Sequence, residues 1–316
     1  MVSMKVTLVR PRGFCAGVVR AIDIVEIALK KFPHPIYVRK EIVHNRAVVE
    51  NFTRQGVIFI DSLQEAPPGS LVIFSAHGVS PAVREEAAER NVHVIDATCP
   101  LVTKVHLEVH KYVRDGYTIV LIGHKEHDEV IGTTGEAPDK IQVVGTVEQV
   151  AALRVPDPNK VVCLTQTTLS VDETRDIATA IKKRFPNLVS PTKDDICYAT
   201  QNRQDAVKEL IKAGIDLLLV VGSRNSSNSI RLCEVARAQG VESHLIDSAA
   251  EIQPPWLAKV KSVGLTAGAS APDYLVEDVV KYLKTRGATV EDLEVIKEDV
   301  SFALPRELLT ATATLV

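Results

Sequence analysis

The most regular feature of the chain is an alternation of short apolar runs with longer amphipathic stretches. Each run holds about four to seven residues of strand, is rich in Val, Ile and Leu, and ends mostly at Gly, Pro, Asp or His. Because the runs are continuously apolar, we expect sheets that are covered on both faces. The predicted strands lie in KVTLVRP, PIYVR, GVIFID, SLVIFSAHG, VHVIDA, YTIVLIGH, IQVVG, KVVCLTQ, IDLLLVVGS, ESHLID and KSVGLTAG.

Amphipathic segments long enough to form helices separate these strands. An alternation of strand and helix along a whole chain indicates βαβ units, in which consecutive strands run parallel. The predicted fold class is therefore α/β with mainly parallel sheets. The predicted helices are Ala21–Lys31, Ala82–Arg90, Val102–Arg114, Val171–Arg184, Arg203–Ala213, Ser229–Gln239 and Pro272–Thr285.

The chain also repeats itself at an interval the size of a small domain. A cysteine opens a predicted helix in RGFCAGVVRAI, in DATCPLVTKVH and in DDICYATQNRQ. A strand with a polar end follows each helix, and a small, hydroxyl-rich turn closes each block. We therefore predict three similar lobes in pseudo-threefold arrangement, with the first strand free to pack with the third lobe. The predicted bounds are 1–97, 98–193 and 194–285, followed by a C-terminal arm at 286–316.

Such an arrangement predicts one central site. Ligands of open α/β sheets bind beyond the carboxyl ends of the strands. With three lobes arranged around a centre, the strand-end loops of every lobe would contribute to the same cavity.

Composition excludes several classes of protein. Of 316 residues, 46% are hydrophobic and 24% charged, which is typical of globular proteins. A net charge of −3 argues against a general nucleic-acid binder. No apolar run approaches the ~18 residues of a membrane span. Arg10 and Arg12 come too early for a secretory signal, and five cysteines are an odd number, so we expect a cytoplasmic protein with reduced thiols.

The cysteines divide into two groups. Cys15, Cys99 and Cys197 occupy the equivalent place in each lobe, near a helix N-terminus, where a thiolate that binds metal is favoured. Cys163 and Cys233 have apolar neighbours and are interpreted as buried hydrophobic residues. Three converging thiolates suit a soft metal centre, and ligand type favours iron–sulfur over zinc, although spacing leaves both open.

Polar side chains follow several predicted strands and suit an anion with many oxygens. Imidazoles, hydroxyls, an amide and helix N-termini together provide neutral donors, for which phosphate is the usual ligand. Each histidine alone is more often a satisfied loop residue. His124 is ambiguous, because its spacing from His127 is compatible with a shared site. The candidate residues are His44, His77, His127, Thr167, Thr168, Ser226, Ser227, Asn228 and Ser270.

Glu129 is the carboxylate best placed for proton transfer among these loops. Its segment, EVIGTTG, predicts a loop entering a helix. If Glu129 faces a buried cavity, its pKa rises and it becomes a proton donor at neutral pH. An exposed loop carboxylate is an equally good interpretation of the sequence.

Several motifs are missing from the chain, and two alternative functions stay open on the residues alone. No phosphate-binding P-loop, dinucleotide-binding G-x-G-x-x-G or G-x-S-x-G nucleophile elbow occurs. One alternative is a zinc-dependent phosphate-ester hydrolase that uses the HKEHDE loop as ligands. The other is a non-catalytic ligand-binding protein of the periplasmic type, against which the missing export signal and the reduced cysteines count.

The motifs together resemble the LytB/IspH family through residues 5–280, in family order. The segment HKEHDE differs in detail from the commonest family form, GHAGHPE, but keeps both histidines and the glutamate. Members are 4-hydroxy-3-methylbut-2-enyl diphosphate reductases, the last enzymes of the methylerythritol phosphate route to isoprenoids. The resemblance is carried by PRGFCAGVVRAI, VRKEIVHN, IFSAHGVS, DATCPLVTKVH, LIGHKEHDEVIGT, LTQTTLSVD, KDDICYATQNRQ, VVGSRNSSNS and LTAGASAPD, and weakly by VSFALPREL.

This resemblance implies an oxidoreductase with a 4Fe-4S cluster held by Cys15, Cys99 and Cys197. One iron would lack a cysteine and be open to the hydroxyl of the substrate. Glu129 would be the proton source, and Thr167 would relay or position that proton. Electrons would come from a flavodoxin or a ferredoxin. The diphosphate would be held by His44, His77, His127, Ser226, Ser227, Asn228 and Ser270.

Overall fold

Within the described residues, the strands of the computed structural model form three sheets, and every neighbouring pair of these strands runs parallel. The structure describes residues 4–191 and 194–310. The predicted α/β class with parallel sheets is confirmed. In chain order the strands are β1 (Lys5–Arg10), β2 (Ile36–Arg39), β3 (Val57–Ile60), β4 (Leu71–Phe74), β5 (His93–Asp96), β6 (Thr118–Ile122), β7 (Ile141–Val144), β8 (Val161–Thr165), β9 (Leu217–Val221), β10 (Glu242–Ile246), β11 (Ser262–Ala267) and β12 (Thr289–Glu294).

Helices connect most of these strands, as βαβ units require. None of the described helices combines the length and the apolar character needed to cross a membrane. The α-helices are α1 (Ala16–Lys31), α2 (Arg46–Arg54), α3 (Pro81–Glu89), α4 (Pro100–Arg114), α5 (Asp128–Gly135), α6 (Val171–Arg184), α7 (Tyr198–Lys212), α8 (Ser227–Ala238), α9 (Pro254–Leu257), α10 (Asp273–Thr285) and α11 (Arg306–Thr310).

The chain divides into two compact units. The first comprises Met1–Val18, His44–Asn51 and Tyr198–Val300. The second comprises Val19–Val43, Phe52–Cys197 and Ser301–Val316. The strand order is β10-β9-β11-β1-β12 in the sheet of the first unit, and β3-β2-β4-β5 and β7-β6-β8 in the two sheets of the second.

Strand β9 shows why its sheet is covered on both faces. Leu217, Leu219 and Val221 pack into one apolar core with helix α10, and the alternate residues Leu218 and Val220 pack into another with α7 and α8. Side chains alternate between the faces of a strand, so a continuous apolar run needs a layer on each side.

Strand β6 of the second unit follows the same rule. Val120 and Ile122 join a core with helix α6, whereas Ile119 and Leu121 join another with helix α4. Both sheets to which β6 and β9 belong therefore expose few apolar side chains, and their loops carry the polar residues.

Among the described residues, strand β12 and the helices α2, α9 and α11 escaped the sequence analysis, which located the other eleven described strands and anticipated α5 only as a loop entering a helix. Strand β12 has a mostly exposed, acidic sequence, TVEDLE, and it forms a sheet edge beside β1. Helix α2 is short and polar, and helices α9 and α11 have only four and five residues. Weak apolar patterns of this kind carry little periodicity to detect.

The three-lobe boundaries stay a prediction. Strand β1 pairs with β11 and β12 of the first unit, and the arm from residue 286 onward contributes β12. The boundary at residue 193 and the end of the arm at 311–316 lie outside the described residues.

We expect Leu219→Ala to lower the free energy of unfolding by about 2–5 kcal/mol, because Leu219 is fully buried in the middle of strand β9. Leu107→Ala is the matched control, since its side chain is 63% exposed, and it should change stability by less than about 0.5 kcal/mol. Urea unfolding followed by circular dichroism measures both. If both variants lost the same free energy of unfolding, the assignment of Leu219 to a buried core would be contradicted.

Candidate functional site

The parallel sheets determine where the polar residues selected from the sequence lie. His77, Glu129 and Thr167 follow β4, β6 and β8, while Ser226 and Ser270 follow β9 and β11. Each therefore lies beyond the carboxyl end of a strand, which is where ligands bind in open α/β sheets.

Three half-buried cysteines stand at the starts of helices. Cys15 directly precedes α1, Cys99 is the N-cap residue of α4, and Cys197 directly precedes α7. Unpaired N–H groups and the helix dipole favour negative charge at such a position. The predicted placement of the three thiols is confirmed.

The other two cysteines differ in burial and in acidity. Cys163 packs in the core beneath α6, and burial raises the pKa of its thiol to about 12. Cys233 lies on α8 and packs in the core that this helix shares with β9, and burial raises the pKa of its thiol to about 11. Their interpretation as buried hydrophobic residues is confirmed, and neither offers a thiolate at neutral pH.

In the first unit, the backbone around Cys15 is held from two sides. The N–H of Cys15 donates to the carbonyl of Ala269 at 3.1 Å. The N–H of Ala16 donates to the hydroxyl of Tyr198 at 3.2 Å. Cys15 is therefore fixed to the turn that carries Ser270, and Ala16 is fixed to the residue that follows Cys197.

Hydroxyl groups converge at the N-terminus of α8. Ser226 is the N-cap residue, and its Oγ accepts hydrogen bonds from the hydroxyls of Ser229 at 3.0 Å and Ser270 at 3.4 Å. The hydroxyl of Ser270 also lies 2.8 Å from the carbonyl oxygen of His44. Ser226, Ser270 and His44 therefore lie together, as the sequence analysis expected.

Asn228 braces the same turn from within the helix. Its Oδ1 accepts a hydrogen bond from the N–H of Ala269 at 2.9 Å, and its Nδ2 donates to Thr200 at 3.2 Å. Asn228 and Ser227 are both at least nine-tenths buried. Buried polar groups at a helix N-terminus form a ready anion site.

Two glycines allow this close packing. A Cβ on Gly268 would lie 1.9 Å from the hydroxyl oxygen of Ser229, and a Cβ on Gly222 would lie 2.3 Å from it. Both strand ends can approach helix α8 only because these positions carry no side chain.

In the second unit, Glu129 forms a buried pair with Thr167. The backbone N–H of Thr167 donates to Oε1 of Glu129 at 2.7 Å, and the Thr167 hydroxyl donates to Oε2 at 2.9 Å. The Thr167 carbonyl accepts a hydrogen bond from the N–H of Cys197 at 3.1 Å, so the pair is tied to one of the three cysteines.

Burial dominates the acidity of Glu129. The residue is only 3% exposed, and the loss of water raises the pKa of its carboxyl to about 7, despite the opposing effects of Thr167 and His106. Of the two interpretations left open by the sequence, the buried one is confirmed. At neutral pH, Glu129 is divided between carboxylic acid and carboxylate and can donate or accept a proton.

His127 begins helix α5 beside this pair. Its Nδ1 accepts the N–H of Glu129 at 3.2 Å, so the neutral imidazole carries its hydrogen on Nε2. The ring of His77 meets that of His127 edge to face, with the centroids 5.8 Å apart, and Nδ1 of His77 lies 3.2 Å from the Ser75 hydroxyl. His127 thus offers a neutral N–H donor close to His77.

A known protein family matches most of the chain. The family described as LytB protein matches residues 6–284. The chain belongs to the LytB family.

Relatives in the LytB family are similar over nearly their whole length. A 4-hydroxy-3-methylbut-2-enyl diphosphate reductase of Nocardia farcinica is 56% identical over 308 residues, which are 97% of this chain and 91% of the relative. One from Bordetella bronchiseptica is 58% identical over 305 residues, covering 96% of this chain and 93% of the relative.

Two solved structures of diphosphate reductases are also similar to this chain. The E-1-hydroxy-2-methyl-but-2-enyl-4-diphosphate reductase of Plasmodium falciparum has a TM-score of 0.94 at 40% identity, covering 97% of each chain. A second structure is described as (E)-4-hydroxy-3-methyl-but-2-enyl diphosphate reductase, the terminal enzyme of the non-mevalonate pathway. It has a TM-score of 0.63 at 34% identity and covers 90% of this chain and 100% of that one.

Some residues that brace these LytB motifs were missed by the sequence analysis. Oε1 of Gln166 accepts the N–H of His124 at 3.1 Å, and its Nε2 donates to Thr168 at 3.0 Å. Oδ2 of the buried Asp195 accepts the N–H of Thr165 at 3.0 Å. Gln166 directly precedes the candidate Thr167, and Asp195 lies two residues before the candidate Cys197. This closeness in sequence is the signal that could have identified them.

The buried carboxyl of Glu129 predicts a pH-dependent difference in stability between the natural chain and Glu129→Gln. The pKa is 4.5 in an unperturbed side chain and about 7 in the fold, so the folded protein holds a proton there that the unfolded chain releases. The stability of the natural chain should therefore fall as pH rises from about 4.5 to 7, by up to about 3 kcal/mol.

Denaturant unfolding at pH 5 and pH 8 measures this difference. The two proteins should be similar at pH 5, where Glu129 is neutral like glutamine, and the variant should be more stable at pH 8. A difference that does not change with pH would exclude a raised pKa at Glu129.

Proposed function

We propose that this chain catalyses the reductive dehydroxylation of (E)-4-hydroxy-3-methylbut-2-enyl diphosphate to isopentenyl diphosphate and dimethylallyl diphosphate. This is the last step of the methylerythritol phosphate, or non-mevalonate, route to isoprenoids. As a LytB-family protein with reductases among its close relatives, the chain is an oxidoreductase of that route. The structural observation that supports the proposal best is Glu129, a buried carboxyl with a pKa of about 7, bound to Thr167.

The cysteines fit the iron–sulfur cofactor of this family. Cys15, Cys99 and Cys197 are half-buried thiols at helix starts, whereas Cys163 and Cys233 are buried thiols with raised pKa values. We assign the first three as ligands of a 4Fe-4S cluster that has one iron without a cysteine. When bound, such a cluster supplies electrons one at a time and a Lewis acid for the substrate's hydroxyl.

The diphosphate is assigned to the neutral donors beyond the strand ends. His127 presents its Nε2–H, and Ser226 caps helix α8 among the hydroxyls of Ser229 and Ser270. Hydrogen-bond donors and helix N-termini bind phosphate oxygens without burying a fixed positive charge. The complete proposed set is His44, His77, His127, Thr167, Ser226, Ser227, Asn228 and Ser270.

The reaction replaces a hydroxyl by hydrogen and consumes two electrons and two protons. One proton leaves with the hydroxyl as water, and the other ends on carbon. In our assignment Glu129, in its carboxylic acid form, supplies the proton for the departing hydroxyl. Thr167 lies against the Glu129 carboxyl, and its hydroxyl can accept one hydrogen bond while donating another, so it can position or relay this proton.

The electrons must come from outside the chain. We propose a small electron-transfer protein of the flavodoxin or ferredoxin type as the donor. Because all five cysteines, each within the described residues, are thiols rather than disulfides, we place the reaction in the cytoplasm.

We expect Glu129→Gln to lower turnover by on the order of 10²–10⁴-fold, the usual range for removing a general acid. Gln has nearly the same shape and can keep both contacts with Thr167. Iron content and diphosphate affinity should therefore stay close to those of the natural chain. Anaerobic turnover with a chemical reductant, iron analysis and product titration measure these quantities. A loss of cluster in place of turnover would remove Glu129 from the proton-donor role.

The cofactor assignment predicts different effects for two cysteine variants. Cys15→Ala should lose most bound iron, whereas Cys163→Ala is the control and should keep it. The measurement is an absorption spectrum with iron and sulfide analysis on protein purified without oxygen. A brown natural chain with about four irons and four sulfides is expected. Colourless protein that binds zinc would instead favour the phosphate-ester hydrolase.

A further inference from the structure

Two arginines outside the proposed site bind the backbone just before a ligand cysteine. In the first unit, Nε and Nη2 of Arg203 donate to the carbonyl of Gly13 at 3.2 and 2.7 Å, two residues before Cys15. In the second unit, Nη1 of Arg20 donates to the carbonyl of Thr98 at 3.0 Å, one residue before Cys99.

One short segment near the C-terminus holds both arginines. Oε1 of Glu298 accepts a hydrogen bond from Nη1 of Arg203 at 3.0 Å. The carbonyl of Ala303 accepts one from Nε of Arg20 at 2.8 Å. Glu298 belongs to the first unit and Ala303 to the second, so the segment 298–303, which we call the C-terminal strap, makes one such contact in each.

The contact of Arg203 is deeply buried. Its side chain is 0% exposed and that of Glu298 is 16% exposed. A buried guanidinium needs a counter-charge and acceptors for its N–H groups, and removal of either is strongly destabilising. Gly13, Ala199 and Glu298 provide those acceptors, so Glu298 fixes the orientation in which Arg203 holds Gly13.

Arg20 makes the corresponding contacts in the second unit, and its side chain is half-buried. Its planar guanidinium group donates through Nη1 to the carbonyl of Thr98 and through Nε to the carbonyl of Ala303 in the strap.

We propose that the C-terminal strap is a positioning device for two cluster ligands: through Arg203 and Arg20 it holds the backbone before Cys15 and Cys99. Arg203, Arg20 and Glu298 are positioning residues and do not touch substrate. The inference rests on the proposed function only in taking these cysteines as ligands of an iron–sulfur cluster.

The first test measures backbone order in the full chain after removal of bound iron. Hydrogen–deuterium exchange of Cys15 N–H, which bonds Ala269, and of Cys99 N–H, which bonds Ala76, reports on the two turns. Glu298→Gln should speed exchange near Cys15, and Arg20→Gln should speed it near Cys99, each on the order of tenfold.

Each variant has a matched control that breaks a neighbouring contact away from any cysteine. Glu291→Gln removes an ion pair between β12 and Lys5. Lys31→Gln removes a hydrogen bond from helix α1 to the carbonyl of Leu308. Both should leave exchange at Cys15 and Cys99 within about twofold of the natural chain. Equal acceleration in control and test variants would overturn the proposal.

The second test measures reduction potential by titration followed by electron paramagnetic resonance on reconstituted protein. Loss of positive charge in Arg20→Gln should lower the potential, and loss of negative charge in Glu298→Gln should raise it, because reduction adds negative charge to the cluster. Arg20→Lys should keep the natural potential. A general loosening of the fold would not change the reduction potentials of Arg20→Gln and Glu298→Gln in opposite directions. Changes of the same sign in the two potentials would therefore contradict the proposal.

Milder variants cover the case in which Glu298→Gln does not fold. Glu298→Asp keeps the negative charge and should accelerate hydrogen exchange near Cys15 less than Glu298→Gln does. If every Glu298 and Arg20 variant that folds exchanges at the natural rate, the proposed role of the strap is refuted. If the natural chain binds no iron, the proposed function fails, but the exchange measurements still decide whether the strap orders these turns.

Discussion

Parallel strands covered on both faces are the constraint on which the rest of this protein depends. A parallel sheet points all of its carboxyl ends toward one edge, and each strand is followed by a loop that leads into a helix. Strands such as β9 place apolar side chains on both faces of their sheets. The polar and ionisable residues are therefore collected at strand ends and helix starts, where backbone N–H groups are unpaired.

That placement explains how one residue type serves two purposes. Cys163 lies within β8 and contributes volume to a core, and the absence of water there keeps its thiol protonated. Cys99 is the half-buried N-cap residue of helix α4, where unpaired backbone N–H groups favour negative charge. The same side chain is a hydrophobic residue in the first place and a potential thiolate ligand in the second, and the difference is the local electrostatic environment.

Glu129 shows the opposite use of burial. The loss of water around this carboxyl raises its pKa to about 7, so that it can hold or release a proton at neutral pH. The carboxyl does not lack hydrogen-bond partners, because the N–H and the hydroxyl of Thr167 each donate to one of its oxygens. The Thr167 carbonyl also accepts the hydrogen bond from the Cys197 N–H, so Glu129 and Cys197 are both supported by Thr167.

The amino-acid sequence by itself determined the α/β class, eleven strands and the seven predicted helices, because long apolar or amphipathic runs produce a strong periodic signal. Three repeated cysteine-helix motifs separated Cys15, Cys99 and Cys197 from the buried thiols. The tertiary structure alone decided that Glu129 is buried, that β12 completes a sheet, and that Arg203 reaches Gly13. These features depend on contacts between residues distant in the chain, and desolvation at a point in space has no counterpart in local sequence pattern.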